Sequence, residues 1–148
     1  MTYICPKCGA NFIYNETCQD RFYAIQLKEL ERSEYYAVHN LSVPCYMLQH
    51  NVYSQKGWLA VWELLFQFVY NDLTPEVGRK QSHIKYDSGH RKWSFTKGPK
   101  LPSVEKIEWS FTIADVRLDT AEIYCKDILH WAKSILVDSK QLIETINK

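Results

Sequence analysis

Two cysteines with two residues between them, Cys5-Pro6-Lys7-Cys8 followed by Gly9, are the residues most able to do chemistry in this sequence. Thiolates at that spacing can grip one tetrahedral ion. The proline preorganises the turn, and the glycine relieves crowding where backbone N–H groups point at sulfur. Two other readings stand beside metal binding: a metal-free knuckle, and redox chemistry, which needs a βαβ context this sequence lacks. Zinc is the expectation carried forward. A zinc ion takes four ligands, so two more must come from Cys18, His39, Cys45 and His50.

His39 raises a second question. A histidine with tyrosine, glutamine and a metal nearby could form a hydrolytic or proton-transfer site. The ordinary role of a histidine among apolar residues is a core group hydrogen-bonded to a carbonyl, and that is the first expectation here. The sequence has no glycine-rich phosphate loop, nucleophile elbow, paired-histidine H-E-x-x-H motif or convergent carboxylate pair. An enzyme is therefore the alternative reading, and no residue is assigned a catalytic role.

Charge marks a third region. The formal net charge is +1, yet residues 78–106 carry Arg79, Lys80, Lys85, Arg91, Lys92, Lys97, Lys100 and Lys106 against Asp87 and Glu105. Tyr86, Trp93 and Phe95 are interleaved with them. Cations mixed with aromatics suit an anionic partner, nucleic acid included, with Arg91, Lys92 and Trp93 as the candidate contacts. The plainer reading is a solubilising loop whose aromatic residues tuck into the core.

These residues need elements to position them. At 148 residues, 46% hydrophobic and 14% aromatic, the chain fits one ordinary domain that buries its own core. No basic segment followed by an apolar one opens the sequence, and the apolar run from Trp58 to Val69 is too short to cross a bilayer. The five cysteines are then expected in a reducing, cytoplasmic setting, where a C-x-x-C pair is not half of a disulfide framework.

Apolar periodicity predicts an all-α bundle of four to five helices behind the knuckle. The first helix spans 16–32 and a second segment spans 34–50. The second breaks near Asn40-Leu41, with Ser42 capping and Pro44 in the new first turn. Residues 57–71 are apolar nearly all round and suit the middle of a bundle. A short helix after Pro75 and a long excursion from Tyr86 to Trp109 follow. Thr112–Val116 forms a capped short turn, and Asp119-x-x-Glu122 is a capping box. The final helix carries Ala121, Tyr124, Ile128, Trp131, Ala132 and Ile135 on one face. A hairpin at the knuckle or in the excursion is the only expected strand.

The first two helical segments select among the candidate ligands. If they pair antiparallel about Ser33, Cys18 lies 15 residues before the turn and His50 lies 17 after it, so both reach the same end. His39 and Cys45 fall farther along, opposite roughly residues 27 and 21. The favoured set is Cys5, Cys8, Cys18 and His50, a closed and therefore structural site.

The order Cys5-Pro-Lys-Cys-Gly-Ala10, a lone Cys18, Val38-His-Asn-Leu-Ser-Val-Pro-Cys-Tyr-Met-Leu-Gln-His50, Thr112-Ile-Ala-Asp-Val116 and His130-Trp-Ala-Lys-Ser134 resembles a family of small bacterial proteins. That family is classed as a domain of unknown function, with a CPxCGA start and a VHxLTVDxYxxQHP signature. The resemblance spans nearly the whole chain. It places Cys5, Cys8, Cys18, His39, Tyr46, Gln49 and His50 on motif positions, with His39, Tyr46 and Gln49 as possible ligand-binding residues. The sequence departs at Pro44, where the pattern has Asp, and at Asn51, where it has Pro. The resemblance implies no activity.

The sequence thus predicts a single zinc-stabilised helical domain acting as a binding or interaction module. Its partner would be a protein or an anionic ligand, not a membrane. The alternatives are a metal-dependent, hydrolase-like enzyme using His39 and its neighbours, and a nucleic-acid-binding protein using residues 78–106. Titratable side chains converging in a deep pocket around His39 would favour the enzyme, and a closed metal site with an exposed patch the module.

Overall fold

The computed structural model describes residues 3–77 and 98–146, and the chain is mostly helical, as its apolar periodicity predicts. Strand structure among the described residues is one short antiparallel pair, β1 (Tyr3–Ile4) and β2 (Asn11–Phe12), with Tyr3 opposite Phe12. The pair flanks the knuckle, so the expected hairpin forms there. Within it the Gly9 N–H donates to Cys5 O and the Cys5 N–H to Ala10 O, both at 2.9 Å. Gly9 has φ +78°, and a Cβ added there would meet nothing. Glycine is needed for its backbone angle and not for space.

Thr17 opens α1 (Cys18–Glu31) with a capping box. Its hydroxyl accepts from the Asp20 N–H at 3.2 Å, and its own N–H donates to the Asp20 carboxylate at 3.0 Å. A four-residue turn, α2 (Ser33–Tyr36), leads into α3 (His39–Gln49). The second segment does break, but at Ala37-Val38 and not at Asn40-Leu41. Ser42 does not cap, because its hydroxyl is taken by the buried Glu29 carboxylate of α1 at 2.8 Å. Pro44 therefore lies inside α3 and denies the Asn40 carbonyl its helical donor.

The end of α3 is a Schellman motif. The Val52 N–H donates to Met47 O and the Asn51 N–H to Leu48 O, both at 3.3 Å, with Asn51 at φ 53°. The buried Asn51 amide donates to Leu101 O at 3.1 Å, and the Gln55 N–H donates to Pro99 O at 2.7 Å. These bonds fasten the end of the long excursion to the joint between α3 and α4 (Gln55–Tyr70). The helix expected at 57–71 thus starts two residues earlier, where Ser54 caps it by accepting from the Gly57 N–H at 3.1 Å. It buries Trp58, Val61 and Leu65 but leaves Phe66 and Tyr70 exposed.

Two 3-10 turns follow, Pro102–Lys106 and Ile113–Asp115. The second is capped by Thr112 as the sequence predicts. The cap of α5 (Ala121–Asp138) is Thr120, one residue beyond the expected Asp119, and its hydroxyl accepts from the Ile123 N–H at 3.2 Å. Glu122 does not reach back to complete a box and instead meets Lys126 at 3.2 Å, one turn on. The predicted face of α5 is buried at Tyr124, Ile128, Trp131, Ala132 and Ile135, while Ala121 is half-buried. A last helix, α6 (Lys140–Ile146), was not expected.

The core lies where α3, α4 and α5 meet. Leu48, Trp58, Leu65, Ile128, Trp131 and Ile135 are fully buried there. The Trp58 indole N–H donates to Leu48 O at 3.0 Å, and that of Trp62 donates to the Ser139 hydroxyl at 2.7 Å. The Trp58 ring is thereby oriented as well as buried. Among the described residues, no helix is long and apolar enough to cross a membrane.

Candidate metal centre

Three segments bring four donors to one point. The knuckle supplies Cys5 and Cys8, the first residue of α1 supplies Cys18, and the residue closing α3 supplies His50. Their ligand atoms all lie within 4.8 Å of one another. Cys5 Sγ is 3.7 Å from His50 Nε2, and Cys8 Sγ is 3.5 Å from Cys18 Sγ. On a tetrahedron with zinc–sulfur bonds of the usual length, donors are separated by about 3.5–3.8 Å. Small side-chain adjustments therefore suffice to close four bonds. The three cysteines are buried and His50 is half-buried.

The surroundings prepare each donor. His50 Nδ1 lies 2.7 Å from the Tyr46 carbonyl, which can only accept, so Nδ1 carries the hydrogen and Nε2 offers its lone pair to the cluster. The imidazole is held flat by stacking. Its centroid lies 4.2 Å from that of Tyr46, and Tyr46 in turn stacks on Phe22 at 3.9 Å. Cys18 sits at the N-terminus of a 14-residue helix, whose dipole supports a thiolate there once the proton it shares with Cys8 is displaced.

Cys8 and Cys18 share a hydrogen bond between their sulfurs. A hydrogen bond from Cys18 pulls the Cys8 thiol down to about 4, against the opposing effect of burial. The same bond to Cys8, followed by burial, pushes Cys18 far up. One sulfur of the pair ionises readily and the other holds the shared proton, which a soft cation would displace.

Among the described residues, nothing comparable surrounds the other cysteines. Cys45 is buried on α3, and burial raises its thiol well above the ordinary range. The Cys125 thiol donates to Glu34 O at 3.5 Å, and burial raises it too.

The remaining candidate residues do not converge. Tyr46 lies against the cluster, and burial pushes its phenol up to about 12. Gln49 is buried and its amide donates to Phe111 O at 2.7 Å, tying α3 to the chain before the second 3-10 turn. His39 stands at the opposite end of α3 from His50, about 16 Å away along the axis. There its Nδ1 lies 2.8 Å from Glu29 Oε1. Arg91, Lys92 and Trp93 lie outside the described residues. Sequence reasoning missed Glu29, Ser42 and Tyr124, which gather around His39. An acid at the end of an amphipathic helix carries no local sign that it will be buried.

The fold and the cluster define a class: a mostly helical protein with three cysteines and one histidine set close enough for a metal. The chain belongs to the family of unknown function DUF5946, which matches residues 4–140. No curated protein and no solved structure matches it.

Proposed function

We propose that Cys5, Cys8, Cys18 and His50 hold one zinc ion in a closed structural site, and that the chain is a zinc-stabilised helical binding or interaction module. The observation that carries this reading is the gathering of three buried sulfurs and one oriented imidazole nitrogen within 4.8 Å from three separate segments. Three thiolates and an imidazole suit zinc and disfavour the hard, oxygen-seeking cations. Four protein donors fill the coordination sphere and leave no position for a substrate. The ion would pin the knuckle to the start of α1 and the end of α3, adding to the packing of the buried Ala10 and Phe12 beside it. The positive charge concentrated in residues 78–106 supports an anionic partner. Unpaired cysteines suit a reducing compartment.

Elemental analysis tests the metal. Protein refolded with zinc and dialysed should retain about one zinc per chain, and cobalt in its place should give the intense thiolate charge-transfer bands of a sulfur-rich tetrahedral site. Retention below about 0.2 zinc per chain would refute the assignment.

A further inference from the structure

The residues beside the candidate ligands make contacts of their own. Lys7 stands between Cys5 and Cys8 on the knuckle, and Asn51 follows His50 at the end of α3. The two come from different segments, yet both reach residues 101–105. The Lys7 ammonium pairs with the Glu105 carboxylate, and the buried Asn51 amide donates to Leu101 O at 3.1 Å. Lys7 holds the Glu105 carboxyl below its ordinary range, and the Asn51 side chain adds to that effect. Glu105 belongs to the 3-10 turn Pro102–Lys106, whose Val104 is buried together with the preceding Leu101. One turn is therefore tied to both arms of the cluster.

Both ties can close together only when the knuckle and the end of α3 hold one relative placement. Between the ligands themselves, Cys5 Sγ and His50 Nε2 are 3.7 Å apart, the length of a weak sulfur hydrogen bond. Bonds from the knuckle sulfurs and His50 to one ion would fix that placement far more firmly. The Lys7–Glu105 pair is about half-exposed on each side, and such a pair adds little when both chains must be ordered to make it. Ordering the knuckle beforehand removes that entropic cost. We propose, on the strength of the zinc reading above, that occupancy of the cluster sets how tightly residues 101–106 are held. Lys100 and Lys106 stand at the two ends of this stretch and are exposed. Two of the cations offered to an anionic partner thus take their placement from the metal centre. The coupling is reciprocal: what zinc adds to the hold on the turn, the turn adds to the affinity for zinc.

Hydrogen exchange of the full-length chain, with zinc and after chelation, reads the coupling. The Val104 N–H donates to Leu101 O at 3.3 Å and the Ile107 N–H to Val104 O at 3.2 Å, so these two amides report the turn. The Tyr124 N–H, which donates to Thr120 O at 2.9 Å in the first turn of α5, reports general stabilisation. Zinc should slow exchange at Val104 and Ile107 at least about fivefold more than at Tyr124. Leu101→Ala combined with Glu105→Ala loosens the turn while leaving every ligand in place. It should weaken zinc binding by a comparable factor, measured in competition with a chromophoric chelator. Loss of a buried leucine can compromise folding, so the exposed Glu105→Ala alone is the second variant and should shift zinc affinity in the same direction. Equal slowing at all three amides, in a chain that retains about one zinc, would overturn the coupling and leave the zinc site standing. A chain that retains no zinc would overturn both.

Discussion

His50 and His39 are both imidazoles on α3, and what separates them is the atom behind each ring. The Tyr46 carbonyl holds His50 so that Nε2 joins three sulfurs, whereas the Glu29 carboxylate takes the Nδ1 edge of His39 at 2.8 Å. Single substitutions should expose that difference. Cys5→Ser, Cys8→Ser, Cys18→Ser and His50→Ala should each strip the zinc, because three protein donors hold it far more weakly than four. Cys125→Ser and His39→Ala should keep it. Metal analysis of the purified variants decides the matter. Zinc surviving in His50→Ala but lost in His39→Ala would place the site at the wrong end of α3.

At the scale of elements, two joints matter to the positions of these side chains. Asn51 ends α3 at φ 53° and reaches Leu101 with its amide, so one residue sets both the helix end and the anchor of residues 98–101. Asn51→Ala should cost about 1–3 kcal/mol in urea unfolding, from left-handed strain plus the lost bond. Asn51→Gly should cost less, since glycine removes the strain. Equal losses would mean that the backbone angle is immaterial.

The second joint fastens the chain before α5. The Arg117 guanidinium holds Asp127 at 3.0 Å through both carboxylate oxygens, and the Arg117 backbone N–H adds a bond at 2.9 Å. Arg117 thereby lowers the Asp127 carboxyl below its ordinary range. A depressed folded-state value stabilises above the unfolded value and fades as pH falls through the folded one. Asp127→Asn should therefore lose about 1–3 kcal/mol at pH 7, and the deficit should shrink once pH drops below about 4. A deficit independent of pH would show that the charge contributes nothing.

For the whole molecule, the question is how much of the fold the proposed metal would hold. The proposed ion would tie down the knuckle, whereas the junction of α3, α4 and α5 buries two tryptophans and four large aliphatic side chains without it. Chelation should then lower Tm by on the order of 10 °C while the far-UV helical signal at 25 °C largely survives. Collapse of that signal would make zinc the condition for folding, as in small zinc fingers. An unchanged Tm would mean that no metal was bound.

Helix content, the knuckle turn and the pairing of Cys18 with His50 were legible in the sequence. They rest on local rules: a period of 3.6, a C-x-x-C spacing, and a rise per residue that puts equal arm lengths at one end. Caps were legible to within a residue or two where the capping side chain had no outside claim on it, as at Thr112. They failed where a distant partner competed. Ser42 has the composition of a cap, and Glu29 belongs on a solvated helix end. Only the packing of α1 against α3 and α5 puts that carboxylate within reach of Ser42, His39 and Tyr124. A buried charge is decided by which groups meet it across the chain, so its site belongs to the tertiary structure alone.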